Sequence, residues 1–496
     1  MKNLFRVLAL AFVLGSAIIL SGSFGAREMR GQSTFRTPAR TFPAQSITTY
    51  QGPVLFAASS LWARTYGLFH GGPGFTLDEY DSPYAVQRMG EGRFVVGGEA
   101  DSKISEDAFV MDAAVVELDL QGNVRWKALF PFSRLGPPSA YQCGVYAITQ
   151  SRDGGCLAVG YVAEPGLPVL VMNISADGMV RWVRSYWTGL NNTLWAVVTA
   201  TSDGGYAVAA QIWSPEYVNS IWIFKLDSLG TVVWSEVFAS GWESESIRAI
   251  RGVSDGGLVL AGTHSETGDG TYQDRAWVMR LDSGGGLEWH KCYATTPGVN
   301  ESTTAGDITP AKDGGFALTG SVQLSGSSSK TWVCKLNSSG DIKWQKTYNG
   351  SSGSAIIQTS DGGYLVTGGD SARAFKLTPS GAVQWAKKYD RPLKSEKMLG
   401  VFEKEGGGYV MIARSEGIWL NPAFFYRPWI AMSVDKNGDI APGCPFVRSI
   451  VGDARTSTVH LSSDSYSLTS STPMTHALAF NPQGKPSIRV GANACR

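Results

Sequence analysis

Short apolar segments alternate with glycine-containing turns along most of this chain. The clearest turn is Asp-Gly-Gly followed at once by an apolar segment, and it begins at Asp153, Asp203, Asp255, Asp313 and Asp361. Weaker copies occur at Glu91-Gly92 and Gly407-Gly408. In such a turn the Asp side chain binds its own backbone two residues on, and Gly takes the positive φ that a tight turn between twisted strands requires. The pattern predicts seven β-hairpins.

A second turn and an aromatic pair follow the hairpins in a constant order. A strand that ends in Leu-Asp or a close variant runs into a Gly turn, and a Trp follows four residues after the Gly, with another aromatic residue four positions later. The pairs are Trp126/Phe130, Trp182/Tyr186, Trp234/Phe238, Trp289/Tyr293, Trp344/Tyr348 and Trp385/Tyr389. An even spacing places both rings on one face of an extended strand, so we expect them to pack against a neighbouring sheet.

The seventh repeat lacks its aromatic pair, because Pro442 stands where a Trp is expected after Gly438. Near the N-terminus, Trp62 and Tyr66 have the same spacing with no turn and strand set before them. Moving this orphan strand into the incomplete repeat gives seven four-stranded units and joins the two ends of the array, whereas an open β-solenoid leaves the displaced strand unexplained. We therefore predict an all-β fold, a seven-bladed β-propeller over residues 59–443, closed by an N-terminal strand that completes the last blade.

The repeat also carries a family resemblance. The order Asp-Gly-Gly-aromatic, Lys-Leu-Asp or Lys-Leu-Asn, Gly and Trp, as in residues 313–344, resembles the β-propeller repeat of secreted and cell-surface bacterial and archaeal proteins. The resemblance implies the propeller fold and says almost nothing about function. A fainter similarity exists to quinoprotein blades, which also place a Gly shortly before a Trp. The chain lacks the adjacent cysteine pair of many quinoprotein alcohol dehydrogenases, and its number of repeats departs from their usual eight.

The composition removes several classes of protein from consideration. With 43% hydrophobic and only 17% charged residues, the chain has ample apolar surface to bury and is not disordered as a whole. A formal charge of +1 gives no long-range attraction to nucleic acid or to an anionic membrane, so neither is expected as a partner. The five His residues are scattered, and no Cys-x-x-Cys or His-Glu-x-x-His motif occurs, so the sequence predicts no metal site and no cofactor.

Residues 1–26 have the pattern of a secretory signal peptide. Lys2 and Arg6 precede the apolar run 7–20, and small residues follow it. The run is shorter than the ~20 residues that span a bilayer, so a retained membrane anchor is the weaker alternative. We expect no transmembrane segment after cleavage, and a secreted, periplasmic or cell-surface location. Residues 27–58 are interpreted as a leader or linker.

The C-terminal extension, residues 444–496, differs from the repeats in composition. Half of residues 453–476 are Ser or Thr, and a weak apolar alternation predicts short strands lying on the outside of the ring. A solvated low-complexity stalk is the alternative. Cys444 and Cys495 flank the extension, and we predict a disulfide between them, since an exported chain meets conditions in which disulfides persist.

Propeller geometry separates two rims of the ring. The first-to-second and third-to-fourth turns of each blade lie on one rim, here named the turn rim, and all other connections lie on the opposite loop rim. The turn rim has short repeated turns, whereas the loop rim has long and varied connections, where binding usually resides. Six loop-rim aromatic residues are predicted to bind a ligand: Trp187, Trp213, Tyr217, Trp242, Trp419 and Tyr426. The alternative is that these rings bury themselves against one another as a roof.

The favoured function is a monomeric binding or scaffold protein that recognises a glycan or a cell-surface protein through its loop rim. The alternative is an enzyme with its site at the mouth of the central channel, either a glycan-cleaving lyase or hydrolase or a quinoprotein-like redox enzyme. The candidate ionisable groups for such an enzyme are six loop residues: Glu243, Glu245, Glu266, Asp269, Asp274 and His264. The sequence gives neither the separation nor the environment on which glycoside cleavage depends, so an enzyme is the less favoured class and no catalytic residue is assigned.

Overall fold

The computed structural model describes most of the repeat region and short parts of the C-terminal extension. The described ranges are 61–69, 82–90, 92–105, 108–130, 143–162, 168–187, 192–213, 219–239, 244–268, 271–294, 302–323, 328–368, 372–389, 396–415, 418–421, 424–426, 429–440, 447–449, 454–455, 460–462, 469–471, 476–479 and 487–493. The predicted signal peptide 1–26, the leader 27–58 and both cysteines of the predicted Cys444–Cys495 disulfide lie outside these ranges.

Every regular element in these ranges is a β-strand, and the strands form seven antiparallel blades of four strands each. Blade 1 contains β2 (Ser82–Met89), β3 (Arg93–Ser105), β4 (Ala108–Asp119) and β5 (Val124–Phe130). Blade 2 contains β6 (Cys143–Gln150), β7 (Cys156–Val162), β8 (Val169–Ile174) and β9 (Val180–Trp187). Blade 3 contains β10 (Asn192–Ala200), β11 (Tyr206–Trp213), β12 (Ser220–Leu226) and β13 (Val232–Ala239). Blade 4 contains β14 (Ser244–Gly252), β15 (Leu258–Gly268), β16 (Thr271–Leu281) and β17 (Leu287–Ala294).

The remaining blades follow the same order. Blade 5 contains β18 (Ser302–Pro310), β19 (Phe316–Gln323), β20 (Lys330–Leu336) and β21 (Ile342–Tyr348). Blade 6 contains β22 (Gly353–Gln358), β23 (Tyr364–Gly368), β24 (Arg373–Leu377) and β25 (Val383–Tyr389). Blade 7 contains β26 (Glu396–Glu403), β27 (Tyr409–Ser415), β30 (Trp429–Val434) and β1 (Trp62–Phe69), and a separate hairpin joins β28 (Ile418–Asn421) to β29 (Phe424–Tyr426). The predicted all-β, seven-bladed β-propeller is confirmed. No described segment is a helix that is long and apolar enough to cross a membrane.

Hydrophobic clusters between successive blades form the core of the described region. One of them joins blade 7 to blade 1, where Phe94 and Val96 meet Phe402 and Ile412. The rings of Phe94 and Phe402 have centroids 5.4 Å apart. Burying a side chain of this size contributes roughly 1.5–3 kcal/mol, so the contact between first and last blades is a substantial one. The blades therefore form a ring.

In the described structure, blades 1 to 6 each contact the next blade through the Trp of the aromatic pair in their fourth strand. The Trp344 indole of blade 5 donates a hydrogen bond to the carbonyl oxygen of Pro379 in blade 6 (3.1 Å), and the Tyr348 hydroxyl donates to that of Gly381 (2.7 Å). Gly381 has a φ of 77°, and a Cβ there would lie 2.8 Å from the Trp344 ring, so only Gly fits. The same approach recurs in Trp126–Gly178, Trp182–Gly230, Trp234–Gly285, Trp289–Gly340 and Trp385–Gly438. The repeated Gly and the repeated Trp thus form one inter-blade contact.

The Asp of each Asp-Gly-Gly turn contacts a cation from the third or fourth strand of its own blade. In blade 3, Lys225 Nζ lies 2.6 Å from Asp203 Oδ2, and the backbone N–H of Gly205 donates to the same carboxylate (3.2 Å). The hydrogen bond from Lys225 lowers the pKa of Asp203 to about 2. Equivalent pairs are Arg181–Asp153, Arg280–Asp255, Lys335–Asp313 and Lys376–Asp361. These pairs explain the cation that precedes Leu-Asp in several repeats.

Strand β1 lies in blade 7 although it comes first in the chain. It pairs antiparallel with β30, and Trp62 lies opposite Ser433. Trp344 lies opposite Lys335 in the same register, one residue before the end of its third strand. The backbone of β1 thus occupies the fourth position of a blade. That the ring depends on this strand for its closure stays a prediction, and the Trp62 variant below tests it.

Six short strands of the C-terminal extension lie on the outer edges of six blades. They are β31 (Val447–Ser449), β32 (Ala454–Arg455), β33 (His460–Ser462), β34 (Thr469–Ser471), β35 (His476–Ala479) and β36 (Ser487–Asn493). Each pairs antiparallel with a fourth strand, and they meet blades 6, 5, 4, 3, 2 and 7 in that order. The extension therefore passes around the ring in the direction opposite to the blades.

The substitution Trp62→Ala tests whether the N-terminal strand closes the ring. Trp344→Ala is the matched control, because it removes an inter-blade Trp at the same register. If β1 is required, both variants lose about 3 kcal/mol of unfolding free energy, since each loses a packed indole. Urea unfolding of the two variants measures the loss. A Trp62 variant within about 0.5 kcal/mol of the parent protein would contradict the predicted closure.

Deletion of residues 444–496 tests the contribution of the outer strands. The fourth strands would lose backbone hydrogen-bond partners, and open sheet edges favour pairing between copies of a chain. We expect the melting temperature to fall by about 5 °C, with faster proteolysis of the fourth strands. Thermal unfolding, limited proteolysis and light scattering measure these effects. An unchanged melting temperature and cleavage pattern would show that the extension does not stabilise the ring.

Candidate functional site

Trp213 is the predicted ligand-binding residue whose side chain the described structure includes. It ends β11 at the loop rim and is 41% exposed. Only the backbone is described for Trp187, Trp419 and Tyr426, which lie in β9, β28 and β29. The remaining two of the six, Tyr217 and Trp242, lie outside the described ranges. A ligand-binding role for these six residues stays a prediction.

The innermost strand of each blade has a β-bulge, either at its middle or in the half nearer the loop rim. In six blades the bulged residue lies seven positions before the turn Asp or its equivalent. In blade 3 it lies nine positions before Asp203. The bulged residues are Tyr84, Tyr146, Leu194, Arg248, Gly306, Ser354 and Leu399. A bulge adds one residue to a strand and re-aims its side chain. Because the innermost strands border the central channel, this position is suited to present side chains toward the channel.

Four half-buried aromatic side chains from blades 1 to 3 form a cluster at this position. Tyr146 stacks on Tyr161, with ring centroids 5.0 Å apart and planes 13° from parallel, and on Trp195 at 4.2 Å and 26°. Tyr84 meets Tyr146 and Trp195 edge-on, at 5.6 and 6.0 Å. Stacked and edge-on pairs are the favoured geometries of aromatic rings. These four residues are called the aromatic cluster below.

Glu99 lies beside the aromatic cluster on the second strand of blade 1. It accepts hydrogen bonds from the hydroxyls of Tyr84 (3.0 Å) and Tyr161 (3.1 Å). The neighbouring blade makes room for it with Gly144, where a Cβ would lie 2.6 Å from the Glu99 side chain. Burial raises the pKa of the Glu99 carboxyl, against the hydrogen bonds of the two tyrosines and the charge of Arg414. The guanidinium carbon of Arg414, from blade 7, lies 5.8 Å from the Tyr84 ring centroid.

The tyrosines of the cluster keep their protons at neutral pH. Burial, assisted by the nearby charge of Glu99, raises the pKa of Tyr84 to about 12. The same causes raise the pKa values of Tyr146 and Tyr161 further. Their hydroxyls are therefore hydrogen-bond donors and not bases. Glu99 is the carboxylate that the described residues place in contact with the cluster, whereas the usual glycoside hydrolysis uses two.

An exposed apolar surface adjoins the aromatic cluster on blade 3. Leu194 and Trp213 are 43% and 41% exposed. Both lie at the same end of the β10–β11 pair as Trp195, where Trp213 is opposite Asn192. Apolar rings next to a few convergent polar groups are typical of ligand sites. The predicted residue Trp213 is thus on the same blade as a member of the cluster.

The candidate ionisable groups Glu245 and His264 are not accessible. They lie opposite each other in β14 and β15, with His264 Nδ1 2.6 Å from Glu245 Oε1 and side chains 0% and 4% exposed respectively. Both side chains are buried within blade 4 and have almost no contact with solvent. Within the described ranges, no three His, Cys, Asp or Glu side chains are grouped as metal ligands.

The aromatic cluster differs from the predicted site, because the sequence pattern predicts binding residues in the loops of the loop rim. Its members lie on innermost and second strands instead. A signal was available, because Tyr84 and Tyr146 occupy the same position of successive repeats, seven residues before the turn. Glu99 and Tyr161 had no such signal in the sequence, since their hydrogen bond joins blade 1 to blade 2.

Comparisons with known proteins give a fold likeness and nothing closer. No family model matches the sequence, and no curated protein matches it. Among solved structures, the Dos1 propeller is similar to this chain at 11% identity and a TM-score of 0.41. The alignment covers 73% of this chain and 80% of the Dos1 propeller chain. The polysaccharide lyase Uly1 aligns with 76% of this chain and 98% of its own, at 10% identity and a TM-score of 0.43. Likenesses of this size carry no functional argument.

The substitution Glu99→Gln tests the burial of this carboxyl through the pH dependence of stability. Because the pKa of Glu99 is raised by folding, the folded protein holds its proton more tightly than the unfolded chain. The resulting stabilisation is complete below the unfolded pKa and is lost as the pH rises through the folded pKa. The melting temperature of the variant minus that of the parent should therefore increase between pH 4 and pH 8.

Glu405→Gln is the control for this measurement, because the Glu405 side chain is 76% exposed in its ion pair with Arg88. The difference in melting temperature between this variant and the parent protein should change little with pH, since exposed ion pairs contribute little to stability. A flat or falling difference for the Glu99 variant would contradict the raised pKa.

Proposed function

We propose that this protein is an exported binding propeller that recognises a glycan at the channel mouth of its loop rim. The observation that carries the proposal is the stack of Tyr161, Tyr146 and Trp195 beside a buried Glu99. Aromatic faces stack on the apolar faces of sugar rings, and carboxylates and hydroxyls bind sugar hydroxyl groups. The cluster combines both kinds of group in one place.

The chemistry of the cluster favours a sugar over a protein partner. Protein interfaces are centred on apolar anchors surrounded by a polar rim. Here the rings are interleaved with hydrogen-bonding groups, because Glu99 contacts two of the three tyrosines and Arg414 approaches the ring of Tyr84. A ligand rich in hydroxyl groups matches this mixture.

The proposed location outside the cytoplasm rests on the signal pattern of residues 1–26. Processing of the N-terminus, read by mass spectrometry of the exported protein, would establish the location and the cleavage position.

A glycan-cleaving enzyme is the second candidate, and one observation favours it. The carboxyl of Glu99 is buried, and burial raises its pKa, as expected of a group that serves as a general acid near neutral pH. In this alternative Glu99 protonates the leaving sugar oxygen. The two candidates differ in outcome, because an enzyme shortens the glycan and a binding protein leaves it intact.

A glycan array probed with the purified protein tests the proposal. Trp195→Ala removes one face of the stack, and we expect it to weaken binding about tenfold or more, the loss of roughly 1.4 kcal/mol of contact energy. Trp213→Ala tests the adjoining exposed ring in the same way. Leu229→Ser is the control, because Leu229 is 68% exposed in a turn of the turn rim.

Identical array profiles for the parent protein and the two Trp variants would contradict the proposed site. Absence of binding by the folded parent protein would contradict the function. If the parent protein shortens a bound glycan and Glu99→Gln binds it without shortening it, the enzyme replaces the binding protein as the better account.

A further inference from the structure

A polar cleft of about 300 Å³ lies between blades 5 and 6. Lys330, at the start of β20, and Arg373, at the start of β24, are on its two sides, and residues 349–351 between β21 and β22 line the rest. The starts of third strands and the connections between blades belong to the loop rim. The cleft is therefore on the same rim as the aromatic cluster, in a different part of the ring.

The charged residues that line this cleft are both positive. Neither Lys330 nor Arg373 has an ion pair with any residue in the described part of the chain. On the turn rim the situation is different, since Lys335 and Lys376 are each within 2.8 Å of an Asp oxygen. Among the described residues no carboxylate pairs with either cation, and two such cations make a local positive potential that an anion would relieve.

The cleft is held in a fixed shape by contacts across the two blades. Arg373 donates a hydrogen bond from Nη1 to the carbonyl oxygen of Asn349 (3.1 Å), and the Ser329 hydroxyl donates to that of Ser351 (2.6 Å). Between these, a Cβ at Gly350 would lie 2.5 Å from Thr331 Oγ1, so the connection packs closely on β20. A site that is already ordered loses less entropy when it binds a ligand.

We propose that this cleft binds the acidic group of a glycan, a carboxylate or a sulfate ester, and that the ligand of the loop rim is an acidic polysaccharide. This inference rests on the proposed function and specifies its ligand. Guanidinium groups bind carboxylate and sulfate oxygens in a planar fork, and an ammonium adds a point charge without a directional requirement. Ser328 and Ser351 also line the cleft.

Arg248 adds a third cation between the two sites. It is the bulged residue of the innermost strand of blade 4 and is exposed there. Blades 1 to 3 carry the aromatic cluster, blade 4 carries Arg248, and blades 5 and 6 carry the cleft. An acidic chain that reaches from the aromatic cluster to the cleft passes blade 4, where Arg248 adds positive charge.

The experiment compares three dextrans with the same backbone: neutral dextran, carboxymethyl dextran and dextran sulfate. The double variant Lys330→Gln/Arg373→Gln is compared with the parent protein. Its control is Arg181→Gln/Lys343→Gln, which removes the same charge from exposed turn-rim residues that pair with Asp153 and Asp313. We expect the cleft variant to lose about tenfold or more of its affinity for either acidic polymer, with binding of the neutral polymer unchanged. The control should keep the affinity of the parent protein, and both variants should keep its melting temperature within a few degrees.

The carboxymethyl and sulfate arms distinguish the two acidic groups. Acidic polymers that bind no better than the neutral one, or that bind equally to the cleft variant, would overturn the inference while leaving the proposed function intact. Equal losses in the cleft and control variants would also overturn it, because the effect would then be one of net charge.

Titration with sodium sulfate and sodium glucuronate, followed by NMR, separates this inference from the proposed function. If no polysaccharide binds, the proposed glycan-binding function fails. The titration with small anions still tests whether the cleft binds an anion. Saturable shifts that disappear in the cleft variant and persist in the control would support an anion site. Absence of saturable shifts in the parent protein would overturn it.

Discussion

The contact between a Trp and the turn Gly of the following blade sets the geometry of the ring. Trp344 lies on Gly381, and Tyr348 donates its buried hydroxyl to the carbonyl oxygen of the same Gly. A side chain on that Gly would collide with the indole. The two blades can therefore pack this closely only because the residue has no Cβ. The indole, the hydroxyl and the turn therefore act as a unit, and six copies of the approach are described around the ring.

This constraint divides the two rims by function. On the turn rim, glycines and Asp side chains are committed to holding the blades, and cations such as Lys225 pair with the turn Asp. Little side-chain chemistry is left there for a ligand. Farther from the turn rim, bulges interrupt the regular pairing of the innermost strands at residues such as Tyr84 and Arg248, which differ from blade to blade. Variation there does not disturb the inter-blade contact, so this rim is where a ligand site can form.

The same division explains how much could be predicted from sequence. The fold was predictable because its determinants are local and repeated: the Asp-Gly-Gly turn, the Gly, and the Trp four residues later all recur in order. The aromatic cluster was not, because Glu99 and Tyr161 are 62 residues apart and Arg414 comes from the last blade. The exposure of Trp213 follows from its position at a strand end of the loop rim, and its role in binding stays a prediction. The bulges also escaped prediction, because no residue type marks them.

Two features of the loop rim together limit what its ligand can be. The aromatic cluster belongs to blades 1 to 3 and the cationic cleft to blades 5 and 6, so they lie in different sectors of the ring around its channel. A single sugar can occupy one of these places but not both. A ligand that uses both must be a polymer, with flat faces for stacking on Trp195 and acidic groups for Lys330 and Arg373. If the ligand is a neutral oligosaccharide, the cleft has no part in binding, and if it is a small anion, the aromatic cluster has none. Recognition that depends on both sectors at once therefore requires a long acidic glycan.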